Sequence, residues 1–195
     1  MMPKLGVEPL RRAALVEATI GAIGEAGTLD VTVAKIARRA GMSSALAHHY
    51  FGGKEQIFLA AMRHTLTVYG AEVRGALAMA QGPEARIEAI VRASFSDSHF
   101  RREVIATWLN FYVLAQTSAQ ANRLLCLYQR RLRSNLRHGL RPLIGARAGP
   151  VADRLAALID GFYLRHSLGI DQPDGGAAAE QVLRSLSLEL AHGIH

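Results

Sequence analysis

Three groups of residues carry the chemistry this chain could do. The first is a run of hydroxyl and basic side chains: Thr32, Lys35, Arg38, Arg39, Ser43, Ser44, His48 and His49, with Lys54 beyond it. Such donors suit the phosphates and base edges of nucleic acid. The second is aromatic. Trp108, Phe111 and Tyr112 share one helix face by three- and four-residue spacing. Aromatic faces attract cations, each contact being worth roughly 0.5–2 kcal/mol. Asp97 and Asp160 are candidate carboxylates for such a cation, and Tyr163 lies on the face of Asp160. The same aromatic spacing is equally that of a packed core, and Asp160 also suits a dimer contact or a local backbone group. The third group, His48, His49 and His64, has metal-ligating side chains but poor geometry. Adjacent histidines in a helix point about 100° apart, and no carboxylate lies within a turn of the pair. No phosphate-binding glycine loop, Gly-x-Ser-x-Gly elbow or His-Glu-x-x-His is present, so neither an enzyme nor a metal or cofactor site is expected.

These groups must be held by helices. Leu15, Ala18, Thr19, Ala22, Ile23 and Ala26 draw one apolar stripe that stops at Gly27. Val33, Ile36, Ala37 and Ala40 repeat the pattern up to Gly41, and a short helix fits 44–51 before Gly52-Gly53. Longer helices are predicted over about 54–80, 84–98, 101–117, 120–144, 150–169 and 176–192. Gly82-Pro83, Arg141-Pro142, Gly149-Pro150 and Pro173-Asp174-Gly175-Gly176 punctuate them. No segment alternates with period two, so the fold class is all-α. Two domains are expected, 8–68 with short helices and 69–195 with longer, more apolar ones. The segment 151–170 is apolar on two faces. One stripe is Val151, Leu155, Leu158, Ile159 and Phe162, and the other is Ala156, Tyr163, Leu164 and Ser167. With Val182, Leu183, Leu186, Leu190 and Ile194 it predicts a four-helix bundle in a homodimer.

Composition narrows the setting. Lys and Arg number 23 against 16 Asp and Glu, a net charge of +7 that favours a polyanionic partner. One cysteine, Cys126, excludes an intrachain disulfide and a multi-cysteine zinc site. The first dozen residues lack a signal-like apolar stretch, and the best apolar run, around Ala106–Ala115, is broken by Asn110. A cytoplasmic protein with no membrane partner is expected. Arg123, Arg130, Arg131, Arg133, Arg137 and Arg141 suggest either a second polyanion surface or a solvated helix face, and the solvated face is the simpler reading.

The segment 31–50 has the form of a helix-turn-helix. Gly41 tolerates a left-handed turn, Ser43 can cap the next helix, and Ala37 lets the two helices approach. By itself this also describes a helical hairpin with a solvated basic face. The longer pattern Thr32-x-x-x-Ile36-Ala37-x-x-Ala40-Gly41-x-Ser43, followed by Tyr50-Phe51 and Lys54, resembles the TetR family of bacterial repressors. That resemblance implies a nine-helix architecture and a DNA operator as partner. Carried over, Thr32, Ser43, Tyr50 and Lys54 match phosphate-contacting positions, Ser44, Ala45, His48 and His49 match base-facing ones, and Phe51 is core, while the first helix of the pair brings Lys35, Arg38 and Arg39 toward phosphates. Ala47-His48 and Gly52-Gly53 depart from the family's usual residues.

Elsewhere the chain is similar to the family's choline-responsive repressors of glycine betaine synthesis genes. The similarity rests on Pro3-Lys4-Leu5-Gly6, Ala61-Met62-Arg63, Trp108-Leu109-x-Phe111, Arg130-Arg131-Leu132-x-Ser134-Asn135-Leu136 and Ala156-Ala157-Leu158-Ile159-Asp160-Gly161. It implies a homodimer on a palindromic operator, with repression relieved by choline. Choline is a quaternary ammonium with no N–H to donate, so the aromatic trio with Asp160 and Tyr163 fits it. A repressor of the same type responding to another cationic or aromatic molecule is the alternative. In either case the helix at 54–80 is expected to act as the lever that moves the recognition helices from a spacing of about 34–36 Å.

Overall fold

The computed structural model describes residues 6–169 and 174–191, together with the backbone but not the side chain of Ser167. Pro3, Lys4, Leu5, Pro173 and Ile194, to which the sequence assigns roles, lie outside the described residues. Among the described residues the helices are α1 (Val7–Ala26), α2 (Val33–Arg39), α3 (Ser44–Phe51), α4 (Lys54–Met79), α5 (Pro83–Ser94), α6 (Arg102–Leu114), α7 (Ala119–Ile144), α8 (Ala148–Leu168) and α9 (Gly175–Ala191). A single 3-10 turn, Gly145–Arg147, joins α7 to α8. None of the described helices is long and apolar enough to cross a membrane.

Two apolar cores form. The smaller joins Leu15, Ala22 and Ile23 of α1 to Ile36 and Ala37 of α2, Ala47 of α3, and Ile57 and Phe58 of α4. The larger takes Val16 and Ile20 from α1 and Leu59 and Met62 from α4, and extends through α5 to α9. Helices α1 and α4 therefore serve both cores, each with a different face. The expected boundary at 68/69 falls inside the unbroken α4. Each fully buried Leu or Ile contributes about 1.5–3 kcal/mol relative to exposure, so the small head borrows stability from the larger core through these two helices.

Several element ends differ from the sequence expectation. Helix α5 stops at Ser94 because Ser96 and Ser98 turn their hydroxyls to Glu72 on α4, and the amides of His99 and Phe100 close on the Ser96 carbonyl at 2.9 and 2.8 Å. The next helix, α6, ends at Leu114, where turn bonds to Ser118 take over. Pro142 does not end α7; the helix carries it in its last turn and stops at Ile144. There the missing proline N–H costs one bond, while Leu143 and Ile144 still pack on the main core. Pro150 sits in the first turn of α8, where its N–H would be an orphan anyway. On α8 the inward stripe is Val151, Ala152, Leu155, Ile159 and Tyr163, whereas Leu158 is exposed. Tyr163 thus joins the inner stripe, because α8 packs on α7 and α6 with one continuous face.

Candidate functional site

The head is built from two capped helices. Thr32 accepts the Lys35 amide at 3.1 Å and opens α2; Ser43 accepts the Leu46 amide at 3.2 Å and opens α3. Both hydroxyls spend their oxygen on a cap and keep their proton to donate, which suits a phosphate. Gly41, at φ +67, makes the turn between the helices. Thr32, Lys35, Ser43, Ala45, His48, His49 and Lys54 are exposed, and Ser44 is half-buried. His48 places its Nδ1 at 3.2 Å from the Gly52 carbonyl, which leaves Nε2 facing out. Lys54 opens α4, with its ammonium 3.9 Å from Asp30 and 5.6 Å from the centre of the Phe58 ring.

Two residues behave differently from the sequence reading. Tyr50 packs its ring into the head's core, under the Arg12 guanidinium at 5.4 Å. Arg39 is turned back onto the head. It pairs with Glu25 and lies across Gly21 on α1, where a Cβ would stand 2.6 Å from Nη2. Lys35 and Arg38 are exposed like Arg39, but among the described residues neither forms an ion pair.

The second site lies among α4, α6, α7 and α8. Trp108 is its centre, with ring centroids of Tyr128 at 4.6 Å, Tyr112 at 6.0 Å, Tyr163 at 6.2 Å and Phe111 at 6.3 Å. Asp160 Oδ1 accepts the Tyr112 hydroxyl at 3.0 Å and the Tyr128 hydroxyl at 3.3 Å. Among the described residues no Lys, Arg or His pairs with this carboxylate. Burial pushes its pKa up, and the two tyrosine hydroxyls pull it partly back. Burial also raises the tyrosines, Tyr69 to about 12 and Tyr128 and Tyr163 well above their ordinary value, so all remain neutral donors. Tyr112, Asp160 and Tyr163 face a cavity of about 400 Å³ between α6 and α8. Trp108 and Phe111 are packed behind it rather than lining it. Asp97 is exposed in the α5–α6 turn; the carboxylate organised there is Glu72.

Comparison with known proteins decides the family. Residues 15–61 match the model of bacterial regulatory proteins of the tetR family, and residues 83–191 match the BetI-type transcriptional repressor C-terminal domain. The HTH-type transcriptional regulator BetI of Brucella suis is 50% identical over 191 residues, covering 97% of this chain and 96% of that protein. The chain belongs to the TetR family of transcriptional regulators. Among solved structures, a transcriptional regulator from Pseudomonas aeruginosa matches with a TM-score of 0.79 at 26% identity, covering 96% of this chain and 93% of that one. A transcriptional regulator from Saccharomonospora viridis, solved in complex with choline, matches with a TM-score of 0.77 at 20% identity, covering 90% and 95%.

The TetR-family head is also tied to the second site through α6, a link that sequence reasoning missed. Asn110 accepts the Leu29 amide at 3.1 Å and donates to the Gly27 carbonyl at 3.2 Å, holding the end of α1 and the loop into α2. Gly24 lets Glu103 lie against α1, where a Cβ would come within 2.6 Å of it. Ser118, just after α6, donates to Glu55 at the start of α4 at 2.6 Å. The helix carrying Trp108 and Tyr112 is thus bonded to the end of α1, and the N-cap of α7 that follows it is bonded to the start of α4. Besides α4, expected as the lever, α1 and α6 also join the head to the second site. Tyr128 and Tyr69 were also missed; they come from helices far away in sequence, and neither has a local signal.

Proposed function

We propose that this chain is a homodimeric repressor of glycine betaine synthesis genes, with residues 8–68 reading a palindromic operator and residues 69–195 binding choline and dimerising. The observation that carries the ligand is the Asp160 carboxylate, buried among aromatic rings and held only by two neutral hydroxyls. A buried carboxylate without a counter-ion favours a cation. Tyr112 and Tyr163 supply ring faces beside it, with Trp108 and Phe111 behind. Glycine betaine, with the same ammonium but a carboxylate of its own, would face repulsion from Asp160. The choline complex of the Saccharomonospora viridis regulator is a precedent for this ligand in the same fold.

The operator is read by α3, with Ser44, Ala45, His48 and His49 toward bases. Thr32, Lys35, Ser43 and Lys54 take phosphates, and Tyr50 contributes at most its hydroxyl edge. Choline draws Tyr112 and Asp160 toward itself, α6 moves with them, and Asn110 carries the shift to the end of α1. The two recognition helices of the dimer then leave their one-turn spacing. Choline acts only by its preference for the splayed state; a coupling of about 1–3 kcal/mol weakens operator binding about 5–150-fold.

Labelled DNA from upstream of betaine synthesis genes, followed by anisotropy at fixed salt, tests this reading. Tight binding that choline weakens is expected, with Asp160→Asn and Trp108→Ala still binding DNA but no longer responding. Tight binding that ignores choline would reject the ligand. A response that survives both substitutions would reject the cage.

A further inference from the structure

A second cavity, of about 630 Å³, lies between α4 and α7 on the other side of Tyr128. Its electrostatics are the reverse of the Asp160 site. Arg63, Arg74 and Arg131 line it, and no Asp or Glu does. Among the described residues none of the three arginines pairs with a carboxylate. Its wall is apolar, with Leu66, Val73, Leu124 and Leu132 as the main surfaces. A cation would meet no carboxylate there.

The ends of the groove can be told apart. Ser118 bonds Glu55, and Tyr128 meets Tyr69 at 5.8 Å, so α4 and α7 run side by side in the same direction. Arg74 and Arg131 lie five and three residues beyond that ring contact, which puts them at about the same height, roughly 5–8 Å along the axes. Arg63 lies six residues before it, about 9 Å the other way. Gly70 leaves room for Arg74 to fold along the groove wall, since a Cβ there would come within 3.3 Å of Nη1. One end therefore carries two guanidinium groups on facing helices, and an apolar channel leads from it past Tyr128 toward Leu66 and Leu124.

We propose that the α4–α7 groove binds an amphipathic anion, a carboxylate bearing an unbranched apolar chain, with its head between Arg74 and Arg131 and its chain over Val73, Leu132 and Tyr128. Two guanidinium groups supply paired donors for a carboxylate, and the leucine and valine wall removes the chain from water. The inference does not depend on the choline reading, because the two sites have separate linings and opposite charge.

Decanoate, titrated into the full-length protein below its micelle concentration, is the probe, read by calorimetry and by the fluorescence of Trp108, the sole tryptophan, whose ring lies tilted against Tyr128 at 4.6 Å. One saturable site per chain is expected. The double substitution Arg74→Gln/Arg131→Gln should weaken it at least tenfold, and decanol should bind at least tenfold less tightly than decanoate. Arg123→Gln/Arg137→Gln, equally charge-reducing but outside the groove, should leave affinity unchanged. The idea is overturned if no saturable site is found, if decanol matches decanoate, or if both double variants lose affinity alike. All four arginines are exposed, and circular dichroism checks that each variant keeps its helices.

Discussion

At the residue scale, the proposed choline site turns on the protonation of Asp160. Burial raises its pKa above the ordinary 3.8, and Tyr112 and Tyr128 oppose that rise. A cation needs the carboxylate charged. Choline affinity should therefore fall as pH is lowered through the raised native pKa, beginning above 3.8 rather than at it. Calorimetry at several values between about pH 4 and 7 would show this, with proton release on binding in the lower part of the range. Affinity flat across that span would mean that choline does not contact the carboxylate. In the free protein the stability sign is opposite: the native state holds this proton better than the unfolded chain, so stability falls as pH rises from 3.8 through the native value. Glu72 runs the other way. Despite burial, hydrogen bonds from Ser98 and Ser96 and the nearby His99 lower its pKa, so its contribution is lost as pH falls through that lowered value.

At the element scale, α6 is both the wall of the aromatic site and the brace of the head. Removing Asn110 with Asn110→Ala deletes its bonds to Gly27 and Leu29 and the intrahelical bond to Ala106 at 2.9 Å. We expect a stability loss of about 1–3 kcal/mol and a weakened choline effect on operator binding, with choline binding itself retained. Anisotropy and calorimetry on the same variant separate the two; an undiminished choline effect would move the coupling to α4 alone. Packing between α5 and α7 offers a cleaner steric test. A Cβ at Gly139 would stand 2.8 Å from Ile87 Cγ1, so Gly139→Ala should cost about 1–3 kcal/mol of overpacking, offset by about 1 kcal/mol of helix propensity. A thermal melt reads the balance, and an unchanged or higher Tm would mean that Ile87 gives way freely.

At the scale of the whole molecule, the proposed homodimer rests on the outer faces of α8 and α9. Leu158 is 37% exposed and Leu168 73% exposed, while Leu183 and Leu190 are half-buried on α9. An apolar strip of this kind on a two-helix face suits a second copy related by a two-fold axis. Leu158→Glu should convert the dimer to monomer by light scattering and lower operator affinity, because one head reads half a palindrome. A variant that stays dimeric would place the interface elsewhere.

The helix-turn-helix was legible because it is local. Its caps at Thr32 and Ser43, its turn at Gly41 and its apolar spacing all fall within some twenty residues, and each acts through neighbours on the chain. The aromatic trio on α6 was legible for the same reason, since helical spacing alone places Trp108 beside Phe111 and Tyr112. Tyr128, Tyr69 and the paired arginines of the α4–α7 groove were not, because only packing of distant helices brings them together. Asn110 shows the limit most clearly. In the sequence it interrupts an apolar run; in the fold it is the clamp on α1, and nothing within one helix announces a partner more than eighty residues away. Short-range geometry was written in the order of residues, while the counter-ion-free carboxylate and its route to the head were decided by which helix faces the cores had to bury.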